Sequence, residues 1–274
     1  MNSQCPPWIA PRFRCGLGNR LFQALATIGA AERLNAEPVF LLPRMSHSEH
    51  GNYSLLHKLF PTIRIVESAT EWKEIEETSD FLVPPIQTIY PVVLKGFFQN
   101  SENHPVLTSN HIPRLPQTLP SRPNTWAIHF RFGDYRILPH HQIDLRQYYY
   151  HTITQIPKGS TVVLFSDSPE KLPLIAGEIH RLGYIPEVFT SQDVLETFKA
   201  FAACQGGSIG SNSTFSWWCA FFAAQQSNFS PKYKAYFPET WITNYPSPKI
   251  FTHPFTQVVQ LHNLNCSYLE SFSY

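Results

Sequence analysis

Thr125-Trp126-Ala127-Ile128-His129-Phe130-Arg131-Phe132-Gly133-Asp134-Tyr135-Arg136 is the stretch whose reading decides the fold. Its first four residues are a short β-prone run, expected to form a buried strand. Strand propensity stops at Gly133-Asp134, a turn pair. Two arginines, a histidine and an aspartate therefore sit where a strand gives way to a loop, the edge at which open α/β sheets bind ligands. Arginine suits a phosphate there, because its planar fork donates parallel hydrogen bonds and never loses its charge. Taken alone, residues 129–136 read more simply as a surface Arg–Asp pair. The rest of the chain decides.

Downstream the pattern alternates regularly. Helices are expected over 144–156, 169–182, 191–204 and from Ser211-Asn212-Ser213-Thr214 through Ala224. Strands are expected at 161–165, 187–189 and 207–210, with another starting at Asn228-Phe229. Such alternation predicts a parallel sheet covered on both faces. Strand ends at Arg131, Asp167 and Ser211 should meet along one crevice.

Upstream, Arg14-Cys15-Gly16-Leu17-Gly18-Asn19-Arg20 precedes apolar positions at helical spacing, Leu21, Phe22, Leu25, Ile28 and Leu34. Glycines before a helix let the backbone approach a ligand, and the helix N-terminus offers N–H groups to an anion. Asn19 is placed to cap that helix. The dinucleotide fingerprint is incomplete, since no third glycine follows. A buried-strand run follows at 38–42, which begins an α/β domain. Residues 44–120 are less regular, with a short helix near 53–60 and strands near 63–66 and 92–99. The segment 104–123 holds five prolines and reads as a domain linker. The expected domains are therefore 1–120 and 121–274, the last residues packing back on the first.

Composition narrows the function classes. The chain has 274 residues and is 43% apolar, ample for a core. A formal net charge of +1 argues against a general nucleic-acid binder while allowing a local basic pocket. No run approaches a membrane span, and residues 1–11 lack a signal-peptide pattern. Five scattered cysteines, Cys5, Cys15, Cys204, Cys219 and Cys266, lack metal-ligand spacing. A reducing, cytoplasmic location is expected. Three sequons, at Asn52, Asn212 and Asn265, are of a kind common by chance.

The most unusual local sequence is Ser211-Asn212-Ser213-Thr214-Phe215-Ser216-Trp217-Trp218. Its hydroxyls can cap a helix and donate to phosphate oxygens, helped by the helix dipole. With this segment in place, the chain resembles glycosyltransferase family 11, the α-1,2-fucosyltransferases. Gly16-Leu17-Gly18-Asn19-Arg20-Leu21-Phe22-Gln23 is similar to the family's N-terminal Gly-Leu-Gly-Asn-Gln-(Met/Leu)-Phe-Gln. His129-Phe130-Arg131-Phe132-Gly133-Asp134-Tyr135 is similar to its His-x-Arg-x-Gly-Asp-Tyr, and residues 213–218 to its Ser-Thr-Phe-Ser-Trp-Trp. Phe165-Ser166-Asp167 matches a shorter element. Departures are Arg20, where glutamine is frequent, and Cys219, where glycine is. The first bears on the acceptor side of the expected cleft, the second on helix packing.

The resemblance implies two Rossmann-like domains facing across a cleft, a GT-B-like arrangement, with GDP-fucose as donor and a glycan acceptor, the 2-hydroxyl of a galactoside. It implies no metal, in line with the lack of an Asp-x-Asp pair for a divalent cation. It places Arg131 on the β-phosphate with Asn19 reaching the same group, Gly18 and His129 beside the donor, and Asp167 near guanine or ribose. Ser211, Ser213, Thr214 and Phe215 wrap the pyrophosphate and base. Asp134 is the first choice of base, with His129, His140, His141 and Asp144 as others. A fucosyltransferase of another linkage, α-1,6 or protein O-linked, and a GDP-sugar- or glycan-binding protein without turnover are the alternatives.

Overall fold

The computed structural model describes residues 7–42, 54–67, 72–87, 91–243 and 248–260. They form two compact units, one of residues 1–116 with 248–250 and one of 117–247 with 251–274. Each is an α/β unit around a parallel sheet.

The first unit holds β1 (Trp8–Pro11), α1 (Leu17–Leu34), β2 (Glu37–Leu41), α2 (Ser54–Leu59), β3 (Arg64–Val66), β4 (Lys73–Glu76) and β5 (Val92–Lys95). The sheet order is β3-β2-β1-β5-β4. Two of these strands escape the sequence reading. β1 is only four residues long and ends in Pro11, and proline argues against a central strand. Yet Ile9 and Ala10 are buried, and β1 sits between β2 and β5. β4 is a charged edge strand, Lys-Glu-Ile-Glu. Its glutamates pair with Arg12 and Lys95, the charged protection usual at a sheet edge. The first turn of α1 begins at Leu17 with Gly16 at the N-cap. Asn19, expected to cap, lies inside that turn instead.

The second unit holds β6 (Thr125–Phe130), α3 (Arg146–Ile153), β7 (Thr161–Ser166), α4 (Leu172–Arg181), β8 (Ile185–Val188) and α5 (Val194–Ala203). After these come β9 (Gly207–Ile209), α6 (Thr214–Gln226), β10 (Ala235–Pro238) and β11 (Thr256–Val259). Its sheet runs β11-β10-β9-β6-β7-β8. The first strand of the unit lies in the middle, the next two extend to one side and the last three to the other. That is the arrangement of dinucleotide-binding sheets, whose topological switch point, here between β6 and β9, marks the ligand crevice.

One strand is displaced from its expected place. Asn228 and Phe229 have positive φ, 53° and 52°, and form a turn. Phe229 joins the aromatic cluster of Phe221 and Phe255, so its apolarity serves packing rather than a strand, and β10 starts only at Ala235. Helix α6 is apolar all round, with Trp217 and Trp218 fully buried, as befits a helix enclosed on all sides. Cys204 and Cys219 are buried thiols, and burial pushes both up, Cys204 to about 12. Asn212 is buried too, which removes its sequon from any glycan; Asn52 and Asn265 lie outside the described residues. No helix among the described residues is long and apolar enough to cross a membrane.

Candidate active site

The site is built from the loop after β6. Arg131 leaves the end of the strand and is held from two sides. Asp134 Oδ1 accepts from its Nε at 3.1 Å and its Nη2 at 2.7 Å. Asp167, just past β7, pairs with its Nη1 at 3.2 Å. Asp167 also fixes the loop itself. Its two oxygens accept the backbone N–H groups of Phe132 at 2.9 Å and Gly133 at 3.0 Å. A Cβ at Gly133 would stand 2.4 Å from Asp167 Oδ2, so any larger residue would have to displace that carboxylate or the loop. The carboxylate expected near guanine or ribose is thus engaged with the arginine loop.

The Tyr135 ring lies under the Arg131 guanidinium, 5.3 Å from its centroid. Its hydroxyl donates to the Asn212 carbonyl at 3.2 Å, which ties the loop after β6 to the loop after β9. Burial is the main reason the Tyr135 phenol is pushed up to about 12, so it acts as a neutral donor. The Asn212 amide donates to the Trp241 carbonyl at 3.1 Å and holds the second loop from behind.

His129 behaves differently from expectation. It is 2% exposed, and its Nδ1 lies 2.8 Å from Ser216 Oγ, which in turn lies 2.8 Å from Ser211 Oγ. Burial pushes the imidazole down to about 4, opposed by Asp167 and assisted by Arg131. His129, Ser211 and Ser216 form a neutral buried triad beneath the β6–β9 crevice. The expected helix cap is also absent. Ser213 occupies the N-cap of α6 without a side-chain cap bond, and Ser216 faces inward. Thr214 and Phe215 open the helix half-buried, and Phe215 stacks on Phe198 at 4.9 Å.

Beside Arg131 opens a pocket of about 460 Å³. Its polar wall consists of Tyr135, His141, Gln142, Asp144, Arg146 and Asn212, and its apolar wall of Phe132, Ile143, Leu145 and Tyr149. Arg146, at the start of α3, is gripped by Asp144, whose Oδ1 also accepts the Arg146 backbone N–H at 3.0 Å. That hydrogen bonding holds the Asp144 carboxyl below its ordinary range. His141 stacks on Tyr135 at 4.2 Å, and its Nδ1 is buried without a partner among the described residues. Burial lowers its affinity for a proton, with Asp134 opposing.

Gly18 and Asn19 belong to the first unit. Gly18 is buried in the first turn of α1, and Asn19 Oδ1 accepts from Gln99 Nε2 at 2.8 Å. Gln99 follows β5, so this bond ties the first turn of α1 to the segment after the strand that neighbours β1. Arg20, expected on the acceptor side, is 2% exposed. Among the described residues, no group of three or more His, Cys, Asp or Glu could hold a metal ion.

No protein-family model and no curated protein matches the chain by sequence. Solved structures do share its fold. NodZ α-1,6-fucosyltransferase, co-crystallised with GDP, aligns with a TM-score of 0.50 at 13% identity, over 79% of this chain and 92% of that one. A mutant of FUT1 from Arabidopsis thaliana in complex with GDP gives a TM-score of 0.50 at 12% identity, over 93% of this chain and 74% of the other. The fold is that of these two fucosyltransferases.

Of the sequence candidates, Arg131, Asp134 and Asp167 are in direct contact, and His129 and Ser211 share one buried network. Tyr135, Asn212 and Arg146 were missed as site residues. Tyr135 stood in the quoted motif, whereas the Asp144-Leu145-Arg146 spacing carries no signal without the loop that folds it beside Arg131.

Proposed function

We propose that the chain transfers fucose from GDP-fucose to a hydroxyl of an acceptor glycan with inversion, the hydroxyl being the 2-OH of a galactoside. The observation that supports this best is Arg131, held by two carboxylates at the switch point and linked through Tyr135 to the loop that opens α6. A diphosphate competes with carboxylates for the same guanidinium. The N-terminal turn of α6 has N–H groups without intrahelical partners to add, and Thr214 stands at its first position.

In the reaction, the bond from fucose C1 to the β-phosphate oxygen breaks and its electron pair leaves with GDP. The acceptor oxygen forms the new bond from the opposite face and gives up its proton. Charge grows on the departing phosphate, where a preorganised arginine stabilises the transition state more than the ground state. Asp134 orients the Arg131 fork until the donor arrives. No metal is assigned a role. The α-1,6 linkage named for one structural neighbour is the second reading. Incubation with GDP-fucose and β-galactosides, followed by linkage mapping of the product, separates the two. A 2-linked fucose is expected, and a 6-linked product would replace the α-1,2 assignment.

A further inference from the structure

We propose that the pocket beside Arg131 is the acceptor subsite and takes one neutral pyranose ring of the glycan, with its hydroxyls on Asp144 and Arg146. This rests on the fucosyl-transfer reading above. At about 460 Å³ the pocket is sized for a small ligand, and Arg131, the group assigned to the diphosphate, contributes only one part of its wall.

The lining matches a sugar in three respects. Sugar hydroxyls donate and accept, and the pocket sets a carboxylate acceptor directly against guanidinium donors in the Asp144–Arg146 pair. The C–H faces of a pyranose need apolar surface, which Ile143, Leu145 and Tyr149 supply. The charges also balance. Arg146 is neutralised by Asp144, and Arg131 faces both Asp134 and Asp167. With Arg146 held by Asp144 and Arg131 given to the diphosphate, an anionic sugar would find no further cation on this wall, so a neutral ring is the fit. The pair is also anchored to the backbone, since the Arg146 N–H donates to the Asp144 carboxylate at the start of α3.

His141 completes the subsite. It lines the pocket, and stacking on Tyr135 fixes its ring. It is assigned to hydrogen-bond the attacking hydroxyl and to take its proton as the new C–O bond forms. The proton then rests on the imidazole and the electron pair of the broken bond on GDP.

The test compares wild type with Arg146→Met and Asp144→Asn. Calorimetry measures GDP affinity, and initial rates at saturating GDP-fucose give the acceptor KM. The acceptor KM should rise about tenfold or more, as for loss of a charge-assisted hydrogen bond, with GDP affinity unchanged. His141→Gln should instead lower kcat by about a hundredfold with little change in acceptor KM. Weakened GDP affinity with an unchanged acceptor KM would give the pocket to the nucleoside and overturn the proposal, as would an unchanged acceptor KM in both pair variants. An unchanged kcat in His141→Gln would overturn the role of the imidazole. A wild-type protein that neither binds GDP nor consumes GDP-fucose would instead sink the fucosyl-transfer reading itself, a result distinct from these.

Discussion

Replacing Arg131 with lysine separates the chemistry from the fold. The guanidinium donates to Asp134 through Nε and Nη2 and pairs with Asp167 through Nη1. A lysine ammonium keeps the charge but cannot span two carboxylates or grip a phosphate with a planar fork. The structural cost is small. The Arg131 side chain is 27% exposed, and partly exposed ion pairs contribute at most about 1 kcal/mol. The loop keeps its shape because Asp167 accepts the N–H groups of Phe132 and Gly133 independently of Arg131. The catalytic cost is larger, since loss of one preorganised donor to a developing oxyanion lowers turnover by roughly a hundredfold to a thousandfold. GDP release at saturating donor and acceptor, normalised to folded protein by thermal melting, measures both. Arg131→Lys should melt within a few degrees of wild type and lose about two orders of magnitude in turnover. Near-wild-type turnover in a folded Arg131→Ala would refute the assignment.

Gly133→Ala brings a Cβ to 2.4 Å from Asp167 Oδ2, so the carboxylate or the loop it holds must shift; turnover should fall while circular dichroism stays native, and unchanged turnover would show that the loop need not be held. Thr214→Ala removes no cap, since the N-cap of α6 is Ser213 and carries no side-chain bond. Its melting temperature should hold while GDP affinity drops, and unchanged affinity by calorimetry would remove Thr214 from the phosphate site. Activity should survive exhaustive EDTA treatment; loss restored by Mn²⁺ would mean that a cation, not Arg131, carries the phosphate charge. Burial holds His129 and His253 at about 4 in the folded protein, against an ordinary 6.5. The unfolded chain binds those protons first, so stability is full above about pH 6.5 and declines as pH falls toward 4, by up to roughly 3 kcal/mol per histidine. Urea unfolding that shows no decline across this window would contradict the buried neutral imidazoles.

The alternation of strand and helix from Thr125 to Gln226 was legible because most of its strands are short apolar runs and its helices before α6 keep one apolar side. β1 and β4 were not, for opposite reasons. Pro11 disguises a central strand, and the charges of Lys73, Glu74 and Glu76 disguise an edge. Phe229 misled because an aromatic residue fits a packed turn as well as a strand. In the site, the meeting of Arg131 with Asp134 could be read from adjacency, and with Asp167 from parallel strand ends. The inward turn of His129 and Ser216 could not, since one-residue differences in facing are set by tertiary packing. Nor could the pocket, because Tyr135, His141 and Arg146 converge only through the short helical turns at Asp134–Arg136 and Pro139–His141.

The most direct measurement of the central claim is the fate of GDP-fucose incubated with the purified protein and a β-galactoside, followed by chromatography of the nucleotide and mass spectrometry of the sugar. The account predicts stoichiometric GDP and fucosylated galactoside, formed at a rate that collapses in Arg131→Lys. Intact GDP-fucose with every galactoside offered, or a rate indifferent to Arg131, would contradict it.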